Sequence, residues 1–309
     1  MTNGLPRASG RACLIANPAA GRGRAARLLP SARRALADLV RGDVRLTTRP
    51  GDEERLTRDA LAAGCTTIAV LGGDGTWSKV AATLVAARST TCLVPLSAGT
   101  GNDFPKSLGL PGTDFAAMAR IAASGRCRTI DVGSVEGRTF VNSVGFGFDV
   151  AALEVAARTP WLGGRALYMY AALNLLLRYR GVHADVRTSP PGDGEPEALS
   201  HYLGVVVAIG ARFGGSFVIA PEAVLDDGRL DVVTIRDAGA LRRVQLLGAV
   251  GRGTHTRGFA EVNATSAERV WVRFPYAPLY QADGELHRAK TATVEVRCVA
   301  GALRVPASA

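Results

Sequence analysis

The chain has 309 residues, a formal net charge of +10 and a pI near 9.9, with 47% hydrophobic and 21% charged residues. That length predicts two domains, and the composition is that of a folded globular protein, which excludes a low-complexity chain. Five dispersed cysteines (Cys13, Cys65, Cys92, Cys127, Cys298) exclude a disulfide framework or a zinc ribbon and predict buried, reduced thiols.

In chain order, the N-terminus lacks the apolar core of a secretory signal, so cytoplasmic residence is expected. Short β-rich runs then alternate with Ala/Leu/Arg-rich stretches through about residue 130. Strands are predicted at Cys13 to Ala16, Val44 to Thr47, Thr67 to Leu71 and Cys92 to Pro95. Helices are predicted at Arg24 to Leu39, Glu53 to Ala63 (capped by Asp52) and Trp77 to Ala87. This alternation signals βα units around a parallel sheet, a Rossmann-like α/β first domain over 1–130.

From Asp131 onward the texture changes to β-rich runs divided by Gly-rich turns. Strands are expected at Thr139 to Val144, His183 to Thr188, Tyr202 to Ile209, Leu230 to Ile235, Arg269 to Arg273 and Thr291 to Val299. Helices are expected at Gly164 to Tyr179 and Leu241 to Val250, and a surface loop at SPPGDGEPE. The helix over 164–179 carries Arg165, Asn174 and Arg178, which argues against a membrane span and for an apolar core helix. These runs make residues 131–309 a β-rich, antiparallel sandwich-like second domain, whose extreme C-terminus could pack back on the first.

Three strand ends carry loops suited to anions. Leu71-Gly-Gly-Asp-Gly-Thr76 opens a helix whose backbone N–H groups and dipole can hold phosphates, with Asp74 offering a carboxylate to a metal or an incoming hydroxyl. Asn17-Pro18-Ala19-Ala20-Gly21 follows the first strand, and Gly99-Thr100-Gly101-Asn102-Asp103 the fourth. Loops at successive ends of a parallel sheet converge on one edge, where α/β ligands bind. The four histidines show no ligand spacing, and no nucleic-acid motif accompanies the basic charge.

With these loops, the segments Phe140-Val-Asn-Ser-Val-Gly-Phe-Gly-Phe-Asp149, Gly214 to Val232 and Gln281-Ala-Asp-Gly-Glu285 follow in an order that resembles the bacterial diacylglycerol kinase catalytic-domain family, related to sphingosine and ceramide kinases. The resemblance implies an ATP- and Mg2+-dependent lipid kinase with diacylglycerol as acceptor and the nucleotide in the interdomain cleft. It implies nucleotide contacts at Asn17, Pro18, Ala19, Ala20, Gly21, Thr47, Gly72, Gly73, Asp74, Gly75, Thr76, Trp77, Ser78, Lys79 and Thr100. It further implies a general base at Glu285, a metal-centred network around Asp74 and Asp103, and a structural magnesium held by Asp227 with carbonyls of Val224 and Arg229. Whether Glu285 or Asp74 is the base stays open at this point.

Ser216, Phe217 and Trp77 depart from the family's usual residues, which bears on the acceptor. The expected partners are a membrane lipid and, from charge, an anionic membrane surface, with no nucleic acid; homodimerisation is left open. An NAD kinase-like phosphotransferase, which shares a GGDGT loop, and a non-catalytic ATP-binding regulator at the membrane are the rivals.

Overall fold

The computed structural model describes residues 10–159, 170, 175, 178–190, 199–215 and 217–307. The helix expected over 164–179, apart from a few of its residues, most of the SPPGDGEPE loop and Ser216 lie outside them. The chain divides into two compact units, one of Met1–Ile130 with Gly301–Ala309 and one of Asp131–Ala300.

In the first unit, β1 (Arg11–Ala16), β2 (Val44–Leu46), β3 (Cys65–Gly72) and β4 (Cys92–Ser97) pair in parallel in the order β4-β3-β1-β2. β1, β3 and β4 are continuous apolar runs with scarcely an exposed side chain, as strands covered on both faces must be. The connecting helices are α1 (Ala20–Ala35), α2 (Ala37–Val40), α3 (Asp52–Ala62) and α4 (Asp74–Ala86). Two further helices, α5 (Asp103–Ser107) and α6 (Phe115–Ala123), follow β4 and were not expected from periodicity, α5 because five residues carry too little of it.

Asp52 does not cap α3. It sits inside the helix, whose N-cap is Gly51, and turns its carboxylate back to Thr48 N–H, Thr48 Oγ1 and Arg49 N–H at 2.8–3.2 Å. These bonds tighten the turn after β2 and hold the Asp52 carboxyl well below its ordinary range, the Thr48 N–H contributing most.

The second unit is antiparallel. β5 (Cys127–Val135), which begins in the first unit, pairs with β6 (Arg138–Phe140) through Gly133↔Phe140. β7 (Ser143–Gly147) turns at Gly147 into α7 (Phe148–Ala157), an unpredicted helix because its apolar residues do not gather on one face. β8 (Val182–Arg187) and β9 (Ser200–Ala208) follow, then the short β10 (Arg212–Phe213) and β11 (Phe217–Val218), and β12 (Leu230–Arg236). α8 (Ala240–Arg252), β13 (Val262–Ala267), β14 (Arg269–Arg273), β15 (Leu279–Ala282), β16 (Glu285–Arg288) and β17 (Thr293–Pro306) complete the chain.

β9 is the hub of this unit, bonded to β7, β8 and β12 along its length. Under α8 its side chains Val206 and Ala208 join Phe217, Ile219, Val233 and Val250 in a core. The last residues of β17 return to the first unit and pair parallel to β4 at Arg304↔Cys92. Among the described residues no helix is long and apolar enough to cross a membrane.

Candidate active site

The three loops follow β1, β3 and β4, neighbours in one parallel sheet, so they emerge along a single edge. In the first loop Asn17 organises the turn: its Oδ1 accepts the Ala19 N–H at 3.1 Å, and its Nδ2 donates to Glu53 Oε1 at 3.1 Å and Thr76 Oγ1 at 3.2 Å. Gly21, Arg22 and Gly23 then stand in the left-handed region (φ 59, 57 and 81°), and regular helix begins only at Arg24.

The loops meet backbone to backbone. A Cβ added to Gly99 would lie 2.6 Å from the Cα of Gly73, and one added to Gly21 would lie 2.1 Å from the Ala98 carbonyl oxygen. Only glycine permits these approaches. The Ala98 and Gly99 N–H groups close the junction by donating to the Gly72 carbonyl at 2.8 and 3.0 Å.

Asp74 locks the second loop to the third. Its Oδ2 accepts the Asn102 N–H at 2.8 Å, and its Oδ1 accepts the N–H groups of Asp103 at 2.8 Å and Phe104 at 3.3 Å. Burial pushes the Asp74 carboxyl upward, against the pull of these three N–H donors. Both carboxylate oxygens are thus occupied by backbone, an arrangement suited to positioning rather than to proton transfer. Asp103 is buried, with Lys106 Nζ 3.9 Å from its Oδ1.

Thr47 follows β2 directly and is buried, its N–H on the Ala16 carbonyl at 2.9 Å; Thr100 is exposed, and Ser78 and Lys79 are half-buried on α4. Pro18, Ala20 and Gly75 are half-buried, Ala19 is exposed and Thr76 is buried. Trp77 departs from the expectation of a nucleotide contact: its side chain is 0% exposed and its Nε1 donates to the Val70 carbonyl at 3.0 Å, which makes it core.

Glu53, which no local sequence motif marks, belongs to this cluster through its bond from Asn17. It is 5% exposed, and its Oε2 has no hydrogen-bond partner. Its signal was a carboxylate on the buried face of α3 in line with Thr57 and Ala60. Asn102 Oδ1 is likewise buried without a partner. Two orphaned acceptors among these loops suit a ligand that brings donors or positive charge.

In the second unit, Asp283 (φ 47°) and Gly284 (φ 84°) form the two-residue turn of the β15–β16 hairpin, the geometry that Asp-Gly favours. The Asp283 carboxylate accepts the N–H groups of Val141, Asn142 and Ser143 at 2.8, 2.9 and 3.2 Å. Glu285, next along, is exposed.

At the turn before β12, Asp131 Oδ2 accepts the Gly228 N–H at 2.6 Å and Asp227 Oδ1 the Arg229 N–H at 3.0 Å, while the Arg229 side chain turns to Ser266. Val224 is exposed. Burial, then the charges of Asp227 and Glu222, push the Asp231 carboxyl up to about 6. Among the described residues no group of three His, Cys, Asp or Glu side chains could hold a metal ion. A single carboxylate with backbone carbonyls, in a surplus of negative charge, still fits one hard cation.

Residues 11–135 match the family model of the diacylglycerol kinase catalytic domain, and residues 142–307 that of the YegS C-terminal NAD kinase beta sandwich-like domain. A Pseudomonas putida (strain KT2440) protein named "Probable lipid kinase YegS-like" is 32% identical over 269 residues, 84% of this chain and 86% of that one. A Mycobacterium tuberculosis (strain CDC 1551) protein named "Diacylglycerol kinase" is 29% identical over 305 residues, 96% of this chain and 94% of that one. With a Pseudomonas aeruginosa (strain UCBPP-PA14) protein also named "Probable lipid kinase YegS-like", identity is 37% over 191 residues, and the match spans 61% of either chain, under two thirds of the relative's length.

The crystal structure of a diacylglycerol kinase from Bacillus anthracis str. Sterne superposes with a TM-score of 0.73 over 97% of both chains at 20% identity, a likeness of fold. The two matched segments follow one another from residue 11 to residue 307 and take in every loop described above, so the chain belongs to the YegS-like lipid kinase family, with a diacylglycerol kinase catalytic domain as its first segment.

Proposed function

We propose that this chain is an ATP-dependent lipid kinase that transfers the γ-phosphoryl group to the hydroxyl of a membrane lipid, with diacylglycerol as the acceptor. The observation that carries the proposal is the meeting of three glycine-bearing loops at one sheet edge, locked by Asp74, in a member of this family. The Asn17–Gly21 turn, Thr47, Gly72 to Thr76 and Thr100 would hold the nucleotide, the α4 N-terminus facing its phosphates. Diacylglycerol is supported by the name of the Mycobacterium tuberculosis relative.

Glu285 is assigned the general base, taking the proton of the lipid hydroxyl as the phosphoryl group arrives. The choice over Asp74 rests on occupancy, because the Asp74 oxygens already accept three backbone N–H groups. Magnesium, when bound, neutralises charge on the transferring oxygens. Asp103 would hold it at the nucleotide, and Asp227 with the carbonyls of Val224 and Arg229 would hold a structural ion. The basic net charge supports reversible docking on an anionic cytoplasmic membrane surface.

The test is a phosphorylation assay with the purified full chain, labelled ATP, Mg2+ and mixed micelles of diacylglycerol, ceramide or a sphingoid base, with NAD as a competing acceptor. Labelled phosphatidic acid is the expected product. Labelling of NAD instead would favour the NAD kinase-like reading, which the description of the second matched model keeps in view. Tight ATP binding with no labelled acceptor would favour the regulator.

A further inference from the structure

The hairpin that ends in Glu285 is tied to a buried acid that no step above uses. Asp149 opens the first turn of α7, half-buried as a residue, its Oδ1 on the Val150 N–H at 2.9 Å and its Oδ2 shut off from solvent without a hydrogen-bond partner. Its carboxylate lies over Gly145 so closely that a Cβ there would fall 1.5 Å from Oδ2. Gly145 stands opposite Gln281 in the β7–β15 ladder. Gln281 is 4% exposed, and as the partner of Gly145 its side chain leaves the ladder on the face where the Asp149 carboxylate lies, close enough to favour the ionised form. At its other end, Gln281 Oε1 accepts at 2.9 Å the N–H of Gly284, the residue immediately before Glu285.

A purely structural role does not account for this arrangement. A buried carboxylate facing no cation costs stability, and an Asn of the same shape would fill the space more cheaply. Gln281 faces both ways: its carbonyl oxygen takes the Gly284 N–H, which turns its amide away from the hairpin turn, and the unpartnered Asp149 Oδ2 is an acceptor on that face of the ladder. The Asp283 carboxylate holds the turn of the hairpin on Val141 to Ser143, and the Gln281 contact fixes Gly284, the residue from which Glu285 follows.

We infer that Asp149 and Gln281 form one buried acid–amide unit that positions Glu285 for proton abstraction, both being positioning residues. The inference rests on Glu285 being the base. Gln281→Met and Asp149→Ala should each lower kcat at least tenfold, with KM for ATP and for lipid within twofold of wild type. The double variant should lose no more than the worse single one, since the two act as a unit. Asp149→Asn keeps the shape but presents an N–H donor where Oδ2 is an acceptor, so its kcat should stay nearer that of Asp149→Ala than that of wild type.

Glu285→Gln is run alongside, with circular dichroism to show that each variant is folded. Loss of turnover in Glu285→Gln while Gln281→Met and Asp149→Asn both keep wild-type kcat would overturn the inference and leave the base standing. Wild-type turnover in Glu285→Gln would overturn both. Losses carried by KM, or multiplied in the double variant, would also overturn it.

Discussion

Asp74 Oδ2 accepts the backbone N–H of Asn102 at 2.8 Å, while Asn102 stands at φ 54° with its side-chain amide on the Gly99 carbonyl at 2.9 Å. Asparagine tolerates the left-handed region better than most residues, and here that conformation aims three successive N–H groups at one carboxylate. The GGDGT acid therefore builds the loop that follows β4.

Asp74→Ala would leave those three N–H groups without an acceptor. Stability should fall by about 2–4 kcal/mol, read by urea unfolding, together with loss of turnover. Asp74→Asn, which keeps one acceptor oxygen, should fall between wild type and Ala; unchanged unfolding in Asp74→Ala would remove the clamp.

Glu285 is exposed, so its replacement should separate chemistry from folding. Glu285→Gln is expected to lower kcat by roughly 10²–10⁴-fold, the usual contribution of a positioned base. The melting temperature should stay within about 1 °C, since surface changes of this kind cost little. A melting shift that accounts for the lost activity would deny Glu285 its role.

Burial pushes the Asp149 carboxyl up from 3.8 to about 6. A raised carboxylate pKa means that the fold holds the proton more tightly than the unfolded chain does, so stability declines as pH rises from about 4 to about 6 and the cost is complete above that. Asp149→Asn cannot ionise. It should gain on the order of 2–3 kcal/mol relative to wild type at pH 7.5, and nothing at pH 3.5. Equal pH dependence of unfolding in the two proteins would contradict the shift.

Cys127 and Cys298 are both half-buried but differ in chemistry. A hydrogen bond from the Cys92 thiol lowers Cys127 to about 7, while burial and then the Asp131, Asp227 and Glu268 charges raise Cys298 to about 12. Cys127 is therefore the readier of the two to form a thiolate. Brief iodoacetamide treatment followed by peptide mass spectrometry should find Cys127 alkylated well ahead of Cys298, and the reverse order would refute the assignment.

Much was legible from local pattern alone. The apolar runs of β1, β3 and β4 and the Gly-rich loops after them follow from rules that act within a few residues, and the Asp-Gly turn of β15–β16 is the same kind of signal. The sequence by itself determined the parallel α/β first unit, the antiparallel second unit and the three strand ends where ligand chemistry gathers. Tertiary structure alone decided what the polar groups there do. Asp74 became a clamp, Trp77 became core, Glu53 entered the loop cluster, and Gln281 came to stand between Asp149 and Gly284. Each of these depends on partners that stand 3 to more than 130 residues away, and a carboxylate or amide takes its role from whichever donors the fold brings within hydrogen-bond reach.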